Sequence, residues 1–87
     1  MKLTVVTPDQ ILLTEDGVDF VRATTPTGSI GILPRHAPLF TTLAPSGELA
    51  FEKAGVRQAL PIAGGVLHVL SDTITIMTES RTIPLPV

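Results

Sequence analysis

Thr73-Ile74-Thr75-Ile76-Met77-Thr78-Glu79 is the best period-2 segment of the chain. Successive side chains of an extended strand point to opposite faces, so Ile74 and Ile76 share one side with Thr78, while Thr73 and Thr75 point the other way. The same period recurs in Glu48-Leu49-Ala50-Phe51-Glu52, with Leu49 and Phe51 inward and both glutamates outward. A third alternation runs through Val56-Arg57-Gln58-Ala59-Leu60-Pro61-Ile62, where Pro61 cannot donate to a ladder and marks an edge strand or a strand end. Lys2 to Val6, Gln10 to Leu13 and Val18 to Thr24 read as further strands, and Val66 to Leu70 as a buried one. Val, Ile and Thr make up 27 of the 87 residues. Their branched side chains fit a pleated surface and lose rotamer freedom in helices, which makes the chain all-β.

Turn chemistry separates these segments at short intervals: Thr7-Pro8-Asp9, Glu15-Asp16-Gly17, Pro45-Ser46-Gly47 and Lys53-Ala54-Gly55. Many short strands at such spacing form a sandwich or barrel. No helical period, linker or internal repeat interrupts the pattern. The expectation is a single domain over residues 1–87, an antiparallel β-sandwich with strands over about 2–79 and a short extended tail over 80–87. Pro84 and Pro86 forbid a regular helix in that tail.

Composition narrows the function classes. Hydrophobic residues are 44% of the chain and charged residues 16%, a balance opposite to that of disordered chains. The longest stretch free of Asp, Glu, Lys and Arg, Gln58 to Ser71, is interrupted by Pro61, Gly64, Gly65 and His68, which argues against a membrane-spanning helix. No secretory signal pattern is visible. The absence of cysteine removes disulfides, thiolate nucleophiles and Cys-based zinc sites. A net charge of −2, no basic block and only three aromatics, Phe20, Phe40 and Phe51, argue against nucleic-acid binding. A folded chain of this mass exposes roughly 4,900 Å², so its charged groups are sparse, about one per 350 Å². Either the twelve threonines supply the polar surface or part of that surface is covered by other subunits.

No constellation for catalysis emerges. His36 and His68 do not sit at metal-ligand spacing, and no cofactor is expected. Ser29, Ser46, Ser71 and Ser80 lack the Gly-x-Ser-x-Gly surround of a nucleophile elbow. Glu48 and Glu52 fall on the solvent face of a strand and do not form an acid/base pair. Gly28-Ser29-Ile30-Gly31 lacks the Gly-Lys-Ser/Thr ending and following helix of a phosphate loop, and reads as a bend or bulge. Gly64-Gly65 reads as a turn or a close backbone approach, and His68 as a side chain on the outer or partner-facing side of its strand. These residues favour a module that works by contact.

Read whole, Gly28-Ser29-Ile30-Gly31-Ile32-Leu33-Pro34-Arg35-His36-Ala37-Pro38-Leu39 resembles a motif of the epsilon subunits of F-type ATP synthases, the Gly-x-x-Gly-Ile-Leu-Pro-x-His-Ala-Pro-Leu pattern. A second block, Ile62-Ala63-Gly64-Gly65-Val66-Leu67-His68-Val69 followed by Thr73 to Glu79, resembles that family in the same order. The opening Leu3-Thr4-Val5-Val6-Thr7-Pro8-Asp9 is similar to its first strand.

The resemblance implies a ten-stranded β-sandwich at the foot of a bacterial central stalk. It would be a non-catalytic rotor component, linking the gamma subunit to the polar loops of the membrane c-ring and coupling proton-driven rotation to ATP synthesis elsewhere. Its place would be peripheral, on the cytoplasmic face of the inner membrane, without membrane insertion. The segment Thr27, Gly28, Ser29, Ile30 and Gly31 matches the part that faces the c-ring. Thr7, His36, Ala37 and Leu39 match positions at or near gamma. Many relatives carry an acidic residue in the ring-facing loop where this chain has Ser29, so hydroxyl and backbone hydrogen bonds with Ile30 packing are expected instead, with weak salt sensitivity. Most bacterial relatives append a helical hairpin, which this sequence does not begin; neither hairpin-type inhibition nor ATP binding by this chain is expected. For His36 three readings are open: a histidine hydrogen-bonded within its loop, a gamma contact, or a pH switch. The alternative to the rotor reading is a stand-alone β-sandwich binding a peptide or sugar, although it lacks an aromatic platform. A small β-barrel hydrolase is more remote still.

Overall fold

The computed structural model describes residues 1–78. Among them nine strands follow in order: β1 (Lys2–Val6), β2 (Ile11–Glu15), β3 (Val18–Thr25), β4 (Gly28–Ile32), β5 (Leu39–Thr42), β6 (Gly47–Lys53), β7 (Val56–Ile62), β8 (Val66–Leu70) and β9 (Thr73–Met77). They form a five-stranded sheet, β2-β1-β9-β8-β5, and a four-stranded sheet, β4-β3-β6-β7. The core lies between the two layers. Leu3, Val5, Ile74, Ile76 and Leu67 fill it from one sheet, and Val18, Val21, Ala23, Leu49, Phe51 and Ile32 from the other.

The alternating stretches behave as their period demands. Ile74, Ile76 and Thr78 are buried, while Thr73 and Thr75 lie on the outer side. Leu49 and Phe51 are buried and Glu48 faces solvent. β7 is an edge strand, which accommodates the missing donor of Pro61.

Three expectations are corrected. The strands number nine among the described residues, not the ten that the resemblance implied, and the stretches 33–38 and 43–46 stay outside the ladders. The sandwich is not antiparallel throughout: β1 pairs with β9 in parallel, Leu3 beside Ile74 and Val5 beside Ile76. Parallel pairing of two strands so far apart in sequence is free of any turn constraint, so the hydrophobic faces alone set it. Gly28-Ser29-Ile30-Gly31, read as a bend or bulge, is instead part of the regular edge strand β4, hydrogen-bonded to β3. Glu79 and the tail expected over residues 80–87 lie outside the described residues, as does any hairpin beyond them.

Buried polar groups are satisfied where the layers meet. Thr78, 5% exposed, donates its Oγ1 hydrogen to the Gly64 carbonyl at 3.0 Å and accepts from the Ala63 N–H at 3.1 Å. Gly65 has φ +107°, and a Cβ built there would stand 1.9 Å from the Met77 carbonyl oxygen. The close backbone approach read at Gly64-Gly65 is therefore physical, and only glycine fits position 65.

Candidate partner-contact surfaces

The cross-strand registers define the two ends of the sandwich. At one end stands the β3–β4 hairpin tip, where Thr25 pairs with Gly28 across Pro26 and Thr27. The Ala44 N–H donates to Thr24 O (3.0 Å), the Gly64 N–H to Ala44 O (2.9 Å), and the Leu43 N–H to Gly65 O (2.9 Å). These bonds gather the tip, residues 43–44 and residues 64–65 at this end. The Thr78 N–H donates to Val6 O at 2.9 Å, so Thr7 belongs to this end as well. At the opposite end the Lys2 N–H donates to Asp72 O (3.1 Å), and Asp72 Oδ1 accepts from the Arg35 N–H (2.9 Å). The loop that carries His36 is thereby placed beside the β8–β9 turn.

The expected ring-facing residues are thus together. Thr27 and Gly28 are exposed at the tip, and Thr25 Oγ1 lies 3.4 Å from Thr27 Oγ1 while donating to Gly28 O at 3.2 Å. Ser29 and Gly31 are exposed on the outer side of β4. Ile30 is different. It pairs with Ala23 on the core side and packs against the core cluster, so its side chain does not point outward as the packing expectation required.

The four expected gamma residues are not all brought together. His36, Ala37 and Leu39 stand in one corner, and Thr7 stands at the far end of the five-stranded sheet. Thr7 is occupied with its own turn, its Oγ1 accepting from the Gln10 N–H at 3.3 Å. His36 is half-buried, and its Nδ1 lies 2.7 Å from the Ala37 carbonyl oxygen, a bond within the loop. Leu39 pairs with Val69 on the core side, so Phe40 and not Leu39 faces outward.

Phe40 is the residue that sequence reasoning missed. It is 65% exposed, and its ring centroid lies 5.7 Å from that of His68, with the planes tilted by 56°. The pair opens an outer sheet face made of two rows: Ile11, Val6, Met77, Val66 and Thr42, then Thr14, Thr4, Thr75, His68 and Phe40. Ile11, Met77 and Leu70 on this side are 66%, 41% and 49% exposed. Lys2 carries the one charge on this face among the described residues. The reading of His68 as outer or partner-facing fits this position. An available signal was the double apolar pattern Leu39-Phe40, one side chain for each face of a strand.

The outer face of the four-stranded sheet has the opposite character. Ala50 and Ala59 floor a shallow depression of about 180 Å³ rimmed by Arg22, Arg57 and Glu48. Arg57 Nε stands 3.5 Å from Glu52 Oε2. Ser29 and Thr24 close its side nearest the hairpin tip. Among the described residues no group of three or more His, Asp or Glu gathers as a metal site would need, and no helix is long and apolar enough to cross a membrane.

This arrangement of two sheets and a twelve-residue loop motif has known relatives. The beta-sandwich domain of the ATP synthase delta/epsilon chain matches residues 1–83. The ATP synthase epsilon chain of Chloroflexus aurantiacus is 44% identical over 78 residues, 90% of this chain and 55% of that protein. The epsilon chain of Herpetosiphon aurantiacus is 42% identical over 80 residues, 92% of this chain and 57% of that protein. The chain spans about half the length of these curated relatives. Among solved structures, a chain in the Euglena gracilis mitochondrial ATP synthase assembly of OSCP, F1 and c-ring superimposes with a TM-score of 0.80 at 29% identity, over 87% of this chain and 48% of that one. A chain in the central stalk and c-ring of the Tetrahymena thermophila enzyme shares the fold, with a TM-score of 0.74 at 24% identity over 92% of this chain and 63% of that one. The match over residues 1–83, together with the motif that builds the His36 loop, makes this chain a member of the ATP synthase delta/epsilon family, carrying its β-sandwich domain.

Proposed function

We propose that this chain is a central-stalk component of a rotary, proton-translocating ATP synthase, held between the gamma subunit and the polar loops of the c-ring. It would couple their rotation and do no chemistry of its own. The observation that carries this reading is the outer face of the five-stranded sheet. Among the described residues it combines exposed Phe40, Ile11, Met77 and Leu70 with hydroxyls and a single charge, which is the chemistry of a covered protein surface. The His36 loop borders this face, so gamma is assigned to the Phe40–His68 corner with His36 and Ala37. Thr7 and the inward-facing Leu39 contribute to the position of neighbouring backbone.

The c-ring is assigned to the opposite end, at Thr27, Gly28, Ser29 and Gly31. There the tip offers hydroxyls and the unpaired backbone groups of an edge strand. Two partners at opposite ends suit a part that transmits torque, and the assembly named for the Euglena relative contains both F1 and a c-ring. The chain would sit at the membrane surface only through these partners.

The test is binding of the purified chain to an immobilised gamma subunit, and separately to c-ring in detergent across a salt series. Saturable binding to gamma, weakened at least ten-fold by Phe40→Ser, is expected. Ring binding should fall only gently with salt, since the tip presents no charge. Indifference to gamma would overturn the reading, and a steep salt dependence would overturn the assignment of the tip.

A further inference from the structure

The β8–β9 turn carries a feature that the fold alone does not require. Its two central residues, Ser71 and Asp72, have φ of 51° and 62°, and neither is glycine. This is the left-handed conformation demanded by a two-residue hairpin between Leu70 and Thr73, where glycine or asparagine is the usual choice. Across the end of the sandwich, Arg35 is also left-handed, with φ 70°. It follows Pro34 in a turn closed by the His36 N–H donating to Leu33 O at 3.2 Å, the pattern of a type II turn, whose third position again favours glycine. Three non-glycine residues in an unfavourable conformation thus occur in two loops. One hydrogen bond, from the Arg35 N–H to Asp72 Oδ1 at 2.9 Å, joins them across 37 positions of sequence.

We propose that Asp72 is a positioning residue for the partner-binding loop: its carboxylate pins the backbone of Arg35 and so fixes His36 and Ala37 beside the Phe40–His68 corner. The inference rests on the assignment of gamma to that corner. A loop between two prolines has fewer backbone donors of its own to hold it, since Pro34 and Pro38 contribute no N–H. The bonds of His36 to Leu33 O and Ala37 O shape the loop from within, and Asp72 ties it to the rest of the sandwich with a charge-assisted bond to a backbone donor. The backbone of Asp72 is itself anchored, because its carbonyl accepts from the Lys2 N–H at 3.1 Å. The carboxylate therefore projects from a fixed frame. Glycine at position 72 would relax the turn, but it would release the loop.

These opposed consequences separate positioning from plain stabilisation. Asp72→Gly should leave the thermal midpoint unchanged or higher, yet weaken gamma binding about five- to ten-fold, the effect of one hydrogen bond to a charged acceptor at a partly exposed site. Asp72→Asn keeps an acceptor oxygen and tolerates the left-handed conformation, so it should bind gamma within about two-fold of the parent. Amide exchange of Arg35 should be slowed in the parent and in Asp72→Asn, and fast in Asp72→Gly. Fast exchange of Arg35 in the parent overturns the inference without any variant. A parent that binds gamma alongside an equally competent Asp72→Gly overturns this inference alone. A parent that binds no gamma overturns both this inference and the assignment beneath it.

Discussion

Gly65 shows how little freedom a single residue can have. Its φ of +107° and the Met77 carbonyl 1.9 Å from where a Cβ would stand leave no low-energy side chain. Gly65→Ala should therefore cost at least ~3 kcal/mol, because backbone must move and a left-handed alanine is strained as well. A urea titration of the variant checks this; a loss below 1 kcal/mol would mean that the backbone relaxes there. Thr78 acts through hydrogen bonds instead. Thr78→Val preserves shape but strands the Ala63 N–H and the Gly64 carbonyl, and should destabilise by about 1–3 kcal/mol in the same titration. The half-buried pair of Lys53 and Glu15 lies at the other extreme. Its 2.9 Å contact joins side chains that are 41% and 27% exposed, and Glu15→Gln should shift the midpoint by the equivalent of less than about 1 kcal/mol.

Among the elements, position within a sheet decides what a residue contributes. Phe51 on β6 and Gln58 on β7 are cross-strand partners on the same face. Phe51 is 1% exposed at the centre of its sheet, whereas Gln58 is exposed on the edge strand. Phe51→Ala should cost about 3–5 kcal/mol, enough to unfold much of an 87-residue domain, while Gln58→Ala should stay within about 0.5 kcal/mol. Denaturation curves of the two variants under one condition test the contrast. The strands most legible in the sequence were β1, β3 and β6 to β9, all with clean alternation or a continuous apolar run. β4 and β5 were not. Gly28 and Gly31 hid β4, since glycine carries no hydrophobic signal, and Gly31 lies under the Phe20 ring, where a Cβ would stand 3.1 Å from Phe20 Cε1. β5 holds four residues with Leu39 inward and Phe40 outward, so no polar face betrays its period. β2, read over Gln10 to Leu13, runs Ile11–Glu15, and a register shift between Val5 and Val6 leaves Leu12 unpaired and breaks the alternation there.

At the scale of the whole molecule, the contrast between the two outer sheet faces matters most. Among the described residues one is uncharged apart from Lys2, and the other carries Arg22, Glu48, Glu52 and Arg57. Phe40 stands on the first without contributing to the core, so Phe40→Ser should leave the thermal midpoint within about 2 °C. Loss of gamma binding by that variant then reports on contact and not on unfolding. Should the variant unfold instead, Phe40 is a packing residue and the uncharged face needs another explanation. The sparse charge noted from composition is thus not spread evenly over the molecule. It is withdrawn from one face, and the motif loop with His36 borders that face.

Consecutive residues were enough to read the all-β class and the resemblance to the family, because alternation and a twelve-residue motif are local properties. That resemblance also drew attention to the His36 loop and the β3–β4 tip. The folded chain was needed to see that these lie at opposite ends, that Thr7 is remote from His36, that Ile30 and Leu39 turn inward, and that Asp72 reaches Arg35. Each of those depends on which strands become neighbours. The parallel pairing of β1 with β9 joins residues about seventy positions apart. No local pattern encodes such a pairing; it is chosen by the burial of two apolar faces at once.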